Sequence, residues 1–336
     1  MVARMTIKEI ARLSGVGVST VSRVLNKRPD VNEDTRGRVM EVIERYGYEP
    51  NSNAKHLKQL STDCVAVIVR GRNNLFFSGI LELLQKRIEA AGLRFLPHYI
   101  DENDDEAAAA LRVYAERKVR GIIFMGGCHT DNGAMLSRLP IPCVYSTVNA
   151  AESYAPNVSS VSVDDRQGAK KAIDYLFDCG HENMVILSGE TQGCNMAHQR
   201  YLGVLDSFKE HGKTLESSRV LVSPFSFSCA YERIKEYTGP DYTAIFAMSD
   251  TMAIGAARAL MDSGKRVPED VSVIGYDGIE LAQYYHPALA TMRQPQQELA
   301  DRSVELLLES MDTDCAPKHI QLETELIQGA SVKHIS

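Results

Sequence analysis

The run Ser14-Gly15-Val16-Gly17-Val18-Ser19-Thr20-Val21-Ser22-Arg23-Val24-Leu25-Asn26 constrains this chain more than any other stretch. It reads as a helix end, a tight glycine turn and a second helix with a small, polar and basic outer side, a shape that enters a DNA major groove. Upstream, Thr6-Ile7-Lys8-Glu9 matches a capping box, in which the hydroxyl and the carboxylate satisfy free backbone donors at a helix start. A helix is therefore predicted from near Ile7, with Ile7, Ile10, Ala11 and Leu13 as one buried stripe and Gly15 turning the chain at positive φ. In the second helix Val21, Val24 and Leu25 point inward, leaving Val18, Ser19, Ser22 and Arg23 outside. Arg23 suits a guanine edge, Ser19 and Thr20 suit bases or phosphates, and Val18 suits a thymine methyl group. Asn32 caps a third helix from Glu33 to about Arg45, whose Val39, Val42 and Ile43 pack on the first two, with Glu33 and Asp34 at its positive end.

Charge supports the same division. Residues 1 to 60 carry 11 Lys+Arg against 7 Asp+Glu, a net of +4, and the remaining residues carry 26 against 37, a net of −11. A basic small end on an acidic large body suits one module that faces phosphates and another that repels them. Met1-Val2-Ala3-Arg4-Met5 leads straight into the polar helix pattern with no apolar secretory segment, and no later run approaches the ~18 to 20 apolar residues of a membrane helix. The expectation is a cytoplasmic protein with no membrane contact. The seven cysteines, at 64, 128, 143, 179, 194, 229 and 315, form no C-x-x-C pair and read as small buried hydrophobes in a reducing compartment.

Residues 50 to 58, Pro-Asn-Ser-Asn-Ala-Lys-His-Leu-Lys, suffice for one or two helical turns, too few to be stable alone in water. On its own the segment fits a plain linker. After three helices of this type it also suits a minor-groove wedge, Leu57 prying base pairs apart while Lys58 seeks the groove's negative potential.

From Cys64 the pattern changes to short apolar strands alternating with amphipathic helices, the signature of parallel sheets covered on both faces. Strands are expected at 64–69, 95–99, 121–125 and 143–146 in a first lobe, with helices near 77–91 and 105–117. A second lobe is expected from strands at 184–188, 220–223, 244–247 and 271–275, with helices near 166–179, 197–212, 229–238 and 251–263. Such sheets bind ligands beyond the carboxyl ends of their strands. Asn74, Phe77, Thr147, Ser249, Asp250, Tyr276 and Asp277 follow or end strands there. Arg200, early in its helix, fits either a bidentate donor to a ligand or a surface salt bridge.

The chain resembles the lactose and galactose repressor (LacI/GalR) family of bacterial transcription regulators. The resemblance rests on Thr6-Ile7-Lys8-Glu9-Ile10-Ala11, Thr20-Val21-Ser22-Arg23-Val24-Leu25-Asn26, Tyr48-x-Pro50-Asn51 and Ala54-x-x-Leu57, and extends over the body to about residue 328. It implies an all-α helix-turn-helix headpiece plus an α/β, two-lobed, periplasmic-binding-protein-like effector domain of doubly wound parallel sheets. The headpiece spans 1–60 with a hinge helix near 51–58, and 61–336 forms the effector-binding and dimerisation domain. Its first lobe is about 61–163 and 293–323, its second about 164–292 and 324–336. It implies a homodimer on double-stranded palindromic operator DNA, with Val18, Ser19 and Arg23 in the major groove and Leu57 and Lys58 in the minor groove. Thr6, Thr20, Ser22, Asn26 and Asn32 complete the DNA-contacting set. Arg200, Ser249 and Asp277 fall on positions that hydrogen-bond the effector and Phe225 falls where a ring stacks on it, joining Asn74, Phe77 and Thr147, which are effector candidates from their places at strand ends. Four positions depart from the family pattern: Gly17 stands where a serine is usual and Lys55 where an arginine is, while Ser249 and Thr147 replace the common asparagine and acidic residue.

The expected function is a repressor whose operator affinity is set by a small molecule, most simply a sugar, with a purine or phosphosugar as other ligands and a sugar receptor that never touches DNA as the alternative. An arginine, a carboxylate and an aromatic wall suit paired hydroxyls and an apolar C–H face. No cofactor, metal or reaction is expected, since the nine histidines lack ligand spacing and no G-x-S-x-G, P-loop or G-x-G-x-x-G motif occurs. The adjacent Asp164 and Asp165 end a strand and open a helix, where capping is a better reading than acid–base chemistry.

Overall fold

A computed structural model describes residues 7–25, 31–46, 63–71, 74–101, 104–127, 133–153, 155–192, 196–313 and 315–335. The chain divides into two compact units, Met1–Ser61 and Thr62–Ser336.

The first unit holds α1 (Ile7–Ser14), α2 (Val18–Leu25) and α3 (Glu33–Tyr46). Its core is Ile10, Ala11, Val21, Val24 and Val39, with Val16, Leu25, Val31, Val42 and Ile43 packed around it. Gly15 has φ +65° and closes α1, while the Val16 amide donates to the Ala11 carbonyl. Leu13 does not belong to the buried stripe, being 41% exposed. Three residues past Ile10 it lies on the helix flank, and Ser14, one turn past Ile10, occupies the inner face instead, its hydroxyl donating to the Ile10 carbonyl at 2.6 Å. The side chain of Ile7 lies outside the described residues.

The second unit contains two six-stranded sheets. The first joins β1 (Cys64–Arg70), β2 (Arg94–Ile100), β3 (Gly121–Met125), β4 (Cys143–Ser146), β5 (Val158–Val163) and β11 (His319–Leu322) in the order β11-β5-β4-β3-β1-β2, all parallel. The second joins β6 (Met184–Ser188), β7 (Val220–Val222), β8 (Ala244–Ala247), β9 (Ser272–Asp277), β10 (Ala290–Arg293) and β12 (Glu325–Ile327) in the order β12-β10-β9-β8-β6-β7, with only β12 antiparallel. Central strands such as β1 and β3 are buried along nearly their whole length, as parallel strands with both faces covered must be.

Helices α4 (Leu75–Ala90), α5 (Glu106–Arg117), α6 (Gly133–Leu136) and α12 (Gln296–Asp312) serve the first sheet. Ile80, Leu84 and Ile88 of α4 meet Leu299 and Leu307 of α12 over Val65, Val67 and Ile123, and Ala107, Ala110 and Val113 of α5 cover Ala66, Ile68 and Ile122 on the other face. The second sheet carries α7 (Asp165–Asp178) and α8 (Met196–Glu210) on one face and α9 (Phe227–Lys235) and α10 (Asp250–Asp262) on the other, with α11 (Glu280–Tyr284) beyond β9. Close helix contact explains Gly203 of α8, where an added methyl group would collide with the Arg166 carbonyl of α7.

Besides the short helices α6 and α11, the elements β5, β10, β11, β12 and α12 had no place in the sequence-derived order. They carry the chain back and forth between the sheets. It leaves the first sheet at Asp164, returns through Gln294 and Pro295, and leaves again through Glu323 and Thr324. The first and third crossovers run side by side, the Asp164 amide donating to the Leu322 carbonyl at 3.3 Å.

Candidate functional site

In the first unit, Val18 is 41% exposed and Ser19 and Arg23 are also exposed, opposite the buried Val21 and Val24. Thr20 is half-buried. Asn32 caps α3, its side-chain oxygen accepting from the Asp34 amide at 2.8 Å. Gly17 precedes α2 and its carbonyl accepts from Thr20 and Val21, so it serves as the cap residue. Thr6, Asn26, the segment 51–58 with Leu57 and Lys58, and the side chain of Ser22 lie outside the described residues.

In the second unit the site grows from Arg200 of α8. Its side chain is only 2% exposed, which removes the surface salt-bridge reading. Nε donates to Asp165 at 2.7 Å, one terminal nitrogen donates to the Met248 carbonyl at 2.5 Å and approaches Asp277 at 3.5 Å, and the guanidinium carbon lies 3.7 Å above the Tyr276 ring. Burial alone disfavours the charge, yet Asp165 and then Asp277 outweigh it and hold the guanidinium above its ordinary value. A desolvated cation over a ring adds about 2 kcal/mol to this cluster.

Asp277 ends β9 with φ 109°, a backbone conformation that costs a non-glycine residue of order 1–3 kcal/mol. Its carboxylate accepts from the Gln294 side chain at 2.8 Å. Burial pushes its pKa up to about 7, against the opposing pull of Arg200 and Gln294. Asp250 is fully buried next to it and accepts from Thr291 at 2.6 Å and from the Ile279 amide at 2.8 Å. Burial and then the Asp277 charge raise its carboxyl well above the ordinary range. Asp165 is raised as well, by burial, in spite of Arg200. Two buried carboxylates, Asp165 and Asp277, thus contact the buried Arg200, a third, Asp250, lies beside Asp277, and burial disfavours the charged form of all three.

Ser249 caps α10 and its hydroxyl accepts from the Met252 amide at 3.2 Å. It directly follows Met248, the carbonyl partner of Arg200. Phe225 is half-buried, and its ring fills the space a side chain on Gly189 would need. Of the second-lobe candidates, Arg200, Asp277 and Ser249 are therefore brought together at the carboxyl ends of β8 and β9, and Phe225 lies beyond the neighbouring β6 and β7.

The first-lobe candidates form a separate group at the carboxyl ends of β1, β3 and β4. Thr147 has φ 82° and its hydroxyl accepts from the Gly126 amide at 3.3 Å. The buried Phe77 ring lies 3.0 Å from the position a Cβ on Gly126 would take. Asn74 caps α4, accepting from the Phe76 and Phe77 amides at 3.0 and 3.3 Å. Sequence reasoning missed a buried cluster on the same edge: Glu106 accepts from Arg70 at 2.9 Å and from the Tyr145 hydroxyl at 2.5 Å. It also missed Gln294 and assigned Asp165 to capping. Asp164 does cap α7, accepting from Gln167 at 2.9 Å, whereas Asp165 turns inward to Arg200.

A groove of about 640 Å³ is lined by Gly278, Glu280 and Gln283 and by Gln296, Asp301 and Glu305 of α12. Gln294 borders both this groove and Asp277; the other candidate residues do not line it. Among the described residues no group of His, Cys, Asp and Glu is arranged to hold a metal ion, and no helix is long and apolar enough to cross a membrane. Cys64, Cys143 and Cys179 are buried and Cys229 and Cys315 half-buried, all five as free thiols, while Cys128 and Cys194 lie outside the described residues.

Residues 6–51 match the family model for bacterial regulatory proteins of the lacI family, and residues 173–332 match that of a periplasmic binding protein-like domain. Over 98% of its length this chain is 35% identical to the HTH-type transcriptional regulator MalR of Clostridium butyricum, all of which is covered. The chain belongs to the LacI family. The HTH-type transcriptional repressor PurR of Vibrio vulnificus is 32% identical, covering 98% of this chain and 99% of that protein. Among solved structures, the transcriptional regulator CelR in complex with cellobiose aligns with a TM-score of 0.71 at 29% identity, over 98% of this chain and 100% of the other. The lac repressor dimer bound to operator and an anti-inducer has the same fold, with a TM-score of 0.73 at 23% identity, over 98% of this chain and 99% of the other. A LacI-family chain with this headpiece is a DNA-binding transcriptional regulator, and the relatives named here are regulators, not enzymes.

Proposed function

We propose that this regulator is a cytoplasmic repressor, a homodimer that grips a two-fold symmetric operator and changes its grip when a neutral sugar enters between the lobes of residues 61–336. The carrying observation is the buried Arg200–Asp165–Asp277 cluster at the carboxyl ends of the second sheet. Arg200, already bonded to Asp165 and the Met248 carbonyl, is poorly placed to neutralise a phosphosugar, and the cluster favours a ligand that donates hydroxyl hydrogens to Asp277 and accepts from Arg200. Phe225 supplies a ring for the apolar face of such a ligand, and Thr147 and Phe77 supply the first-lobe side. The cellobiose complex of CelR is in keeping with this ligand class.

On DNA, Val18, Ser19 and Arg23 lie outermost on α2 and are proposed to enter the major groove, with Leu57 and Lys58 in the minor groove. One headpiece neutralises too few phosphates for tight specific binding, so two must dock about one helical turn apart or a multiple of it. The effector acts through its differential affinity for two lobe arrangements, typically ~1 to 3 kcal/mol of coupling.

The test has two arms. Purified protein is used to select symmetric oligonucleotides, and its affinity is measured against salt, where a steep fall is expected. A thermal-shift screen against cellobiose, ribose and other neutral sugars, and against their phosphates, is expected to give shifts only with neutral compounds. A monomer indifferent to every symmetric duplex overturns the DNA reading, and stabilisation by sugar phosphates alone overturns the ligand reading.

A further inference from the structure

Asp277 and Gly278 are consecutive residues of positive φ, 109° and 69°, where β9 turns toward α11. Glycine adopts such a backbone readily, whereas an aspartate must be held in it by its surroundings. Asp250, the first residue of α10, is fully buried and spends both carboxylate oxygens on this turn. Oδ2 accepts from the Ile279 amide at 2.8 Å, and Oδ1 accepts from the Thr291 hydroxyl at 2.6 Å. That hydroxyl in turn accepts from the Gly278 amide at 3.3 Å. The two amides that follow Asp277 are thus gathered onto one carboxylate, one directly and one through Thr291. Neighbouring glycines leave room for the arrangement: a Cβ on Gly275 would collide with Asp250 Oδ1, and a Cβ on Gly278 would collide with Arg293. Gln294 holds Asp277 from the other side, its side chain donating to the carboxylate at 2.8 Å and its amide to the Asp277 carbonyl at 3.1 Å.

We propose that Asp250 is a positioning residue of the effector site: with Thr291 as its intermediary it fixes the turn after β9 in the backbone form that aims the Asp277 carboxylate at Gln294 and Arg200. The inference rests on reading Asp277 as an effector contact. Asp250 itself has no exposed surface and does not touch the ligand in this scheme. A carboxylate suits the task because both of its oxygens accept, whereas an asparagine would turn an amide N–H toward either Thr291 or the Ile279 amide. The N-terminus of the 13-residue α10 favours negative charge at this position, against the opposing effects of burial and of Asp277. A binding group on a turn keeps its aim only when a supporting layer of hydrogen bonds fixes that turn, and here the layer consists of Asp250, Thr291 and Gln294.

The test needs neither operator nor effector. Full-length protein is labelled with carboxyl-¹³C aspartate, the Asp277 signal is identified by its loss in Asp277→Asn, and its titration is followed by NMR. Thr291→Val removes the hydroxyl without changing any charge, so Arg200, Asp165 and Asp250 around Asp277 stay in place. The freed turn is expected to swing the Asp277 carboxylate toward water and to change its acid constant at least about tenfold, lowering the midpoint. Thr291→Ser restores the hydroxyl and is expected to restore the wild-type midpoint. Thr291→Cys, a milder change whose thiol donates weakly, is expected to shift the midpoint in the same direction as valine and serves if the valine variant does not fold. Tyr237→Phe removes a hydroxyl of the same lobe that donates to the Pro240 carbonyl at 3.1 Å and is expected to leave the midpoint unchanged. A purely structural role for the clamp would lower stability and leave the Asp277 midpoint where it was. That result in Thr291→Val or Thr291→Cys overturns the inference, as does a Thr291→Ser protein that titrates like the valine variant or an equal shift in Tyr237→Phe. Because no sugar is present, failure of the ligand reading leaves this measurement intact.

Discussion

Replacing Asp277 by asparagine separates the charge of this residue from its shape. The folded-state pKa is about 7, against an ordinary 3.8 in the unfolded chain. Between those values the unfolded chain has released a proton that the folded chain still holds, so stability falls as pH rises through the window. At ~1.4 kcal/mol per unit over a little more than 3 units, the ionised carboxylate costs about 4 kcal/mol at pH 8 compared with pH 4. Asparagine keeps an oxygen that accepts from Gln294 and Arg200, and Arg200 retains Asp165 as its counter-charge. Asp277→Asn should therefore match the wild type near pH 4 and exceed it at pH 8, by up to about 4 kcal/mol. For a lobe-sized unit that corresponds to at least several degrees in Tm, and it should disappear on acidification. Differential scanning fluorimetry of both proteins from pH 4.5 to 8.5 measures it. A Tm difference that stays constant with pH, or a variant less stable than the wild type at pH 8, would refute the argument that Asp277 is ionised at a cost. The same variant should lose any sugar-induced thermal shift, since a neutral amide accepts a ligand hydroxyl less strongly than a carboxylate.

Three further outcomes follow from the packing and the headpiece. Gly203→Ala forces a methyl group into the Arg166 carbonyl and should destabilise the second unit by about 1–3 kcal/mol, read as a lower urea midpoint. Arg23→Ala should weaken binding to the selected operator by about 1–3 kcal/mol and relax discrimination at one base pair, measured by fluorescence anisotropy on single-substitution duplexes. Gly17→Ser has room, its Cβ position lying 3.5 Å from the Ser19 hydroxyl, and should raise headpiece stability by a few tenths of a kcal/mol as a better helix cap.

The central strands were legible because burial on both faces leaves an uninterrupted apolar run, as in Cys64–Arg70 or Gly121–Met125. The strands nearer the sheet edges were not. Val158–Val163 is half serine, and its buried Ser160 is satisfied by the Ala150 amide and His319, partners distant in sequence. β11 is half exposed and β12 has three residues, too short for a period to register. Arg200 and Asp277 were marked by position, early in a helix and at a strand end, but only the family resemblance favoured an effector role over a surface salt bridge for Arg200, because nothing local in an amphipathic helix marks a side chain that turns inward. Asp165 was hidden by Asp164, since either of two adjacent acids at a helix start accounts for a cap. Gln294 follows a four-residue strand and belongs to no motif, and its value lies wholly in its reach to Asp277. The left-handed backbone at Thr147 and Asp277 leaves no trace in residue type, because strain there is imposed by the surrounding sheet.

The repeated passage of the chain between its two sheets governs how the protein is made. As the chain emerges from the ribosome, the first sheet still awaits β11 and the covering helix α12 when every other strand of it has been synthesised, and the second awaits β12. Neither sheet can close until residues near 327 have been released. The nascent headpiece, with its own core, has no such wait. Truncation within the last few dozen codons should thus yield a folded headpiece attached to an unfinished second unit, exposed to proteases, whereas full-length translation completes both sheets almost together.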